Sequence, residues 1–185
     1  MTLNKEIILA NFANRPVRTI VSILAVAIEV TLILLVVGLV TGMNIETGKR
    51  IEGVGADLMF QPPNSSVFLG LNGAVMPLAI GDILLEVEGV RDVSPVITQL
   101  NTQGGFDTVF GIDPKSFAAM GGGFNFVSGE IFDAPGDIVI DDLYAAAKNL
   151  DVGNEISLLN HQFIVSGIVE HGKGARLYLD ILEAQ

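Results

Sequence analysis

Ile20–Val40 reads IVSILAVAIEVTLILLVVGLV, and the meaning of this run decides the architecture. Among its 21 residues only Ser22, Glu29 and Thr31 are clearly polar. At a rise of about 1.5 Å per residue the run makes a helix of roughly 31 Å, matching a bilayer's hydrocarbon core. A soluble domain rarely buries a helix that is apolar on every side near its N-terminus. The run predicts a transmembrane helix over residues 19–42. A cleaved signal peptide is the competing reading, but its apolar region spans about 7–15 residues and ends in a small-x-small site. Here the run is longer, carries Glu29 at its middle and ends in Val40-Thr41-Gly42-Met43.

Charge is distributed unevenly on either side of this helix. Up to Thr19 the chain carries Lys5, Arg15 and Arg18 against Glu6 alone, whereas from Met43 onward 7 basic residues face 19 acidic ones. Basic residues just before a span hold that side in the cytoplasm, and long domains cross largely regardless of their charge. The N-terminus is therefore expected in the cytoplasm. Residues 43–185 are expected outside, in the periplasm or its equivalent, across the inner or plasma membrane. So acidic a domain would repel nucleic acid and anionic lipid, which argues against DNA or RNA binding. Cysteine is absent, so neither a disulfide framework nor thiol chemistry is available.

Residues 1–18 form a short cytoplasmic segment. Ile7, Ile8, Ala10 and Phe12 can share part of a helical face opposite Lys5, Glu6, Asn11 and Asn14, as in a helix lying at the interface. Pro16 interrupts this segment and suits the first position of the next helix. Glu29 stands out within the span, because an ionisable side chain at the bilayer centre costs about 2.5–3.5 kcal/mol on insertion scales and usually faces protein. It either takes up a proton or pairs with a helix of another chain. Gly38 and Gly42 have the GxxxG spacing that permits close helix packing. Glu29, Gly38 and Gly42 are the helix-packing candidates.

Beyond the span, Thr41–Val54 is compatible with a helical continuation. Asp57–Gln61 reads as a first strand stopped by Pro62-Pro63, and Asn64–Pro77 as a loop. Ala79–Glu88 has helical apolar spacing, with Gly89 as its stop. Strands are expected from about Ser94 to Leu100, over Thr108–Ile112, at Ile138–Ile140 and at Ala175–Leu179. Asp113-Pro114 is the signature of a helix start, and Asp141 or Asp142 can cap a helix over Leu143–Leu150. Glu155–Leu159 and Gln162–Glu170 form a hairpin around Asn160-His161. The external part is thus an α+β domain of short strands and about three helices.

Several stretches, taken in order, resemble one family. Asn11-Phe12-Ala13-Asn14-Arg15-Pro16-Val17-Arg18-Thr19 is similar to a lead-in of the form Asn-Leu-x-Arg-x-Pro-x-Arg-Thr. Gly55-Ala56-Asp57-Leu58, Gly89-Val90-Arg91-Asp92-Val93-Ser94-Pro95 and Gly111-Ile112-Asp113-Pro114 have counterparts at matching places. So do Leu150-Asp151-Val152-Gly153-Asn154 and Phe163-Ile164-Val165-Ser166-Gly167-Ile168. Together they resemble the MacB/FtsX-like ABC transporter permeases, specifically the first membrane helix and the MacB-type periplasmic core domain. Such permeases continue into three further membrane helices, and no second apolar run of about 20 residues occurs in this sequence. A fragment, a truncated product or half of a split permease is expected.

The resemblance implies a permease subunit of an ABC-type exporter or lipoprotein-release system. It implies a separate ATP-binding subunit, a homo- or hetero-dimer of permeases, and a periplasmic adaptor protein as a further partner. A single-pass anchored binding or assembly module is the alternative. No catalytic constellation emerges. Gly104-Gly105, Gly121-Gly122-Gly123 and Gly172-Lys173-Gly174 lack the GxxxxGK[ST] spacing that cradles phosphates, so ATP would be bound elsewhere and no cofactor is expected on this chain. His161 and His171 match no metal pattern and have no evident Ser or Asp companion. Asp133, Asp137, Asp141 and Asp142 lack the Ca²⁺-loop spacing and read as caps and solvated turns. The chain reads as non-enzymatic.

Overall fold

The computed structural model describes residues 15–63, 65, 76–102 and 107–184. The expected interfacial helix of residues 2–14 and most of the Asn64–Pro77 loop lie outside them. The chain divides into two compact units, Met1–Ile45 and Glu46–Gln185.

The first unit is dominated by helix α1, Pro16–Gly53. Pro16 occupies its first position, where a missing N–H costs nothing. The helix continues through Thr41–Gly53, as its helix-compatible sequence predicts, and reaches about 57 Å at 1.5 Å per residue. It is long and apolar enough to cross a membrane, and residues 20–45 are exposed around its whole circumference.

The second unit is built on a seven-stranded mixed sheet. Its strands are β1 (Val96–Asn101), β2 (Asp107–Ile112), β3 (Phe126–Gly129), β4 (Asp137–Asp141), β5 (Glu155–Leu158), β6 (His161–Val169) and β7 (Leu177–Asp180). The order is β1-β2-β7-β4-β6-β3, with β5 beside the first half of β6. Parallel pairs β2–β7 and β4–β6 flank the antiparallel pair β4–β7 at the centre. Central strands buried on both faces need near-continuous apolar runs, and Ile138-Val139-Ile140 and Leu177-Tyr178-Leu179 supply them.

Alternation sorts these side chains into two cores. Val109, Ile138, Ile140, Leu177 and Leu179 point to one face, covered by Tyr144 and Ala145 of helix α4 (Asp142–Lys148). Phe110, Ile112, Val139 and Tyr178 point to the other, covered by Phe117 of helix α3 (Pro114–Gly121) and by Val54 just beyond α1. Asp113 caps α3 by accepting from the Ser116 N–H at 2.9 Å. Asp141, rather than Asp142, caps α4 through the Tyr144 N–H at 2.6 Å. Helix α2, Ala79–Leu85, is one turn shorter than its apolar spacing predicts.

Two local expectations are corrected, and one strand carries no sequence signal. Asp57–Gln61 is not a strand: among the described residues no neighbour pairs with it, and Leu58 and Phe60 remain exposed. The hairpin turn is centred on Leu159 and Asn160, both left-handed at φ 52° and 66°, one residue earlier than its polar signal suggests. Strand β3 was not expected, since all four of its residues are exposed and carry no burial pattern.

Candidate functional site

Arg50 is the point from which the site is built. It lies in the last turn of α1, within the second unit, and is one of three buried polar residues among those described there. Its Nη2 donates to Asp141 Oδ2 at 3.4 Å, its Nη1 to the Ala175 carbonyl at 3.3 Å and its Nε to Glu46 at 3.1 Å. Its own carbonyl accepts the Gly174 N–H at 2.8 Å. Side chain and backbone of one residue thus tie the helix terminus to the end of β4 and to the β6–β7 loop. Asp141 is 1% exposed. Burial raises its carboxyl above the usual range, opposed by the Tyr144 N–H and the Arg50 charge.

Backbones meet closely around this tie. A Cβ on Gly53 would stand 1.8 Å from the Gly172 carbonyl oxygen, and one on Gly121 would stand 2.0 Å from the Val54 oxygen. Only glycine permits such approach. Lys173 sets its ammonium against the Gly121 carbonyl at 2.9 Å and also bonds the Gly123 carbonyl, a cation at the C-terminal end of α3. The Tyr178 hydroxyl donates to the carbonyls of Lys173 and, at 2.7 Å, Ala175. Its ring packs at 4.6 Å from Phe124, which stacks on Phe117 at 5.3 Å. A cavity of about 110 Å³ beside Arg50 is lined by Thr47, Ile51, Val54, Met59, Thr108 and Phe110. That is well below the roughly 300–1,000 Å³ of small-molecule sites. The arrangement grips a helix end.

The helix-packing candidates lie elsewhere, in the first unit. Glu29 is exposed and makes no hydrogen bond or ion pair among the described residues. A Cβ on Gly38 or Gly42 would meet nothing within 4 Å. Glu29 and Gly38, nine residues apart, fall about half a turn from each other at 3.6 residues per turn. The glycines share one side of the helix and Glu29 takes the opposite one.

His171, read as having no acidic companion, has one. Asp142 accepts its backbone N–H at 3.0 Å and meets its Nδ1 at 3.0 Å, on a half-exposed surface. Among the described residues no three His, Asp or Glu side chains gather into a cation-binding group. The Arg50–Asp141 pair leaves no signal in the sequence, because the two residues stand 91 positions apart.

The sequence model of the MacB-like periplasmic core domain family matches residues 19–185. No curated protein matches the chain. Among solved structures, the periplasmic region of MacB from Actinobacillus actinomycetemcomitans is similar at 16% identity. That likeness covers 57% of this chain and 55% of the other, with a TM-score of 0.44. The extracellular domain of the noncanonic ABC-type transporter YknZ, from Gram-positive bacteria, is similar at 16% identity over 67% of this chain and 71% of that one, with a TM-score of 0.47. The chain therefore spans about half the length of the MacB region it resembles.

Proposed function

Since the chain belongs to the family of the MacB-like periplasmic core domain of ABC transporter permeases, we propose that it serves as the first membrane helix and external domain of such a permease. In this reading it works in an exporter or lipoprotein-release system, and the ATPase resides on a separate chain. Arg15 and Arg18 favour a cytoplasmic N-terminus, and the acidic domain then lies on the outer side of the inner membrane.

The observation that carries the proposal is the grip on the end of α1. A tether needs only a flexible linker. Here Arg50, Gly53 and Val54 are locked onto β4, the β6–β7 loop and α3. A shift or twist imposed on the helix by ATP-driven movement in the membrane would reach the sheet through Arg50 rather than be absorbed. The external domain would convey it to a substrate, a second permease or a periplasmic adaptor.

The test is reconstitution of the full chain with the ATPase and the membrane segments encoded beside it. ATPase stimulation by the assembled permease is expected, and Arg50→Met should lower it while leaving assembly intact. If the chain forms no complex with these partners, the anchored binding or assembly module takes its place.

A further inference from the structure

The inference concerns Glu29 and rests on the reading of α1 as a membrane span. Glu29 lies nine residues from Ile20 and eleven from Val40, so its Cα is roughly 14–16 Å from either end of the apolar run at 1.5 Å per residue. A glutamate side chain is far too short to bring its carboxyl to either interface. Arg18 and Glu46 are the nearest charged residues along α1, about 16 and 25 Å away by the same rise, and neither can meet it. The carboxyl is exposed and bonded to nothing among the described residues.

The surroundings of Glu29 allow a close neighbour. Ala25 lies one turn before it and Ser22 two turns before it, on the same side of the helix. The Ser22 hydroxyl is turned back onto the Arg18 carbonyl at 3.0 Å and presents no outward donor. This side therefore offers a small-residue approach and one acidic group, while Gly38 and Gly42 lie on the far side. A second copy in the same orientation, docked through this face about a two-fold axis, would bring Glu29 against Glu29. Like charges in hydrocarbon disfavour that arrangement.

We propose that the Ser22–Ala25–Glu29 face of α1 docks a different membrane helix, one bearing a lysine or arginine at the depth of Glu29. Charge complementarity specifies the occupant: a cation at mid-membrane depth satisfies an acid left unpaired among the described residues. The glycine side is left for an independent contact, so the two sides of α1 have different neighbours.

The test uses the full chain in phosphatidylcholine vesicles. The chain has no native cysteine, so Val17→Cys carries an acceptor dye alone. The probes are donor-labelled leucine–alanine membrane peptides with a central arginine or, as control, a central leucine. The arginine peptide should associate about five- to thirty-fold more tightly, the effect of one interhelical hydrogen bond in a membrane. Glu29→Leu should abolish that preference and Gly38→Leu should retain it. Equal affinity for both peptides, or a preference that survives Glu29→Leu, overturns the docking. Glu29-dependent self-association without peptide would put a second copy on this face and overturn it as well. Extraction of the chain by alkaline carbonate would instead sink the membrane reading on which the docking rests.

Discussion

Arg50 Nη2 lies 3.4 Å from Asp141 Oδ2, with the two side chains 10% and 1% exposed. A pair this deep is expensive to form but more expensive to break, because removing one partner leaves the other charged and buried. Arg50→Met should therefore destabilise the chain by about 3–5 kcal/mol. Adding Asp141→Asn should recover part of that loss, since asparagine removes the stranded charge yet still caps α4. Guanidinium unfolding of the full chain in detergent measures both. A double variant less stable than Arg50→Met alone would show that the charge of Asp141 is not what the mutation strands.

The two tyrosines give an optical test of the cores. Burial raises Tyr178 well above the ordinary phenol range, and burial followed by the Asp107 charge raises Tyr144. A raised folded value means stability that is complete below the unfolded value of about 10 and lost as pH rises through the folded one. Absorbance of the phenolate should stay flat through pH 10 and then rise together with unfolding. A simple titration at pH 10 in the folded protein would contradict the burial of both rings.

Tyr178 also contributes through its hydroxyl, which serves the carbonyls of Lys173 and Ala175. Tyr178→Phe keeps the ring against Phe124 but takes the hydroxyl donor from the half-buried Lys173 carbonyl and leaves the Ala175 carbonyl to Arg50 Nη1 alone. The expected cost is about 1–3 kcal/mol. The change should also loosen the β6–β7 loop, seen as faster amide exchange at Lys173–Ala175.

What could be read in the sequence was whatever local pattern dictates. Ile138-Val139-Ile140 announces a strand buried on both faces, and Asp113-Pro114 announces a helix start, because a few adjacent residues settle each. Strand β3 was illegible, since Phe126–Gly129 is an exposed edge strand with no apolar rhythm. Asp57–Gln61 misled for the converse reason: its composition suits a strand, but pairing needs a partner and none lies beside it among the described residues. The grip on α1 joins residues near positions 50, 121, 141 and 173. No window of sequence contains them together.

Asp113 and Asp141 both cap helices, yet they should respond to pH in opposite senses. The Ser116 backbone N–H, then its side chain, holds Asp113 below the usual carboxylate range. Its contribution is complete above the unfolded value of about 3.9 and is lost as pH falls through the folded one. Asp141 is raised by burial, so its contribution is complete below about 3.9 and is lost as pH rises through the folded value. Asp113→Asn should flatten the acid limb of a stability profile below pH 4. Asp141→Asn should remove a decline just above it. Denaturation midpoints of the full chain, taken at half-unit pH intervals, separate the two.

Gly53 offers the sharpest test of the grip, because what it contributes is the absence of a side chain. An added Cβ would stand 1.8 Å from the Gly172 oxygen and 2.9 Å from the Gly172 carbonyl carbon. These are backbone atoms, so no rotamer change relieves the clash and the helix end or the loop must move. In an exposed helix interior, Gly→Ala would stabilise by about 0.5–1 kcal/mol through helix propensity. At Gly53 the sign should reverse, with a net loss of about 1–3 kcal/mol typical of overpacking. Gly48→Ala serves as the control, since a Cβ there meets nothing within 4 Å. If both substitutions stabilise the chain alike, the end of α1 is not seated against the β6–β7 loop.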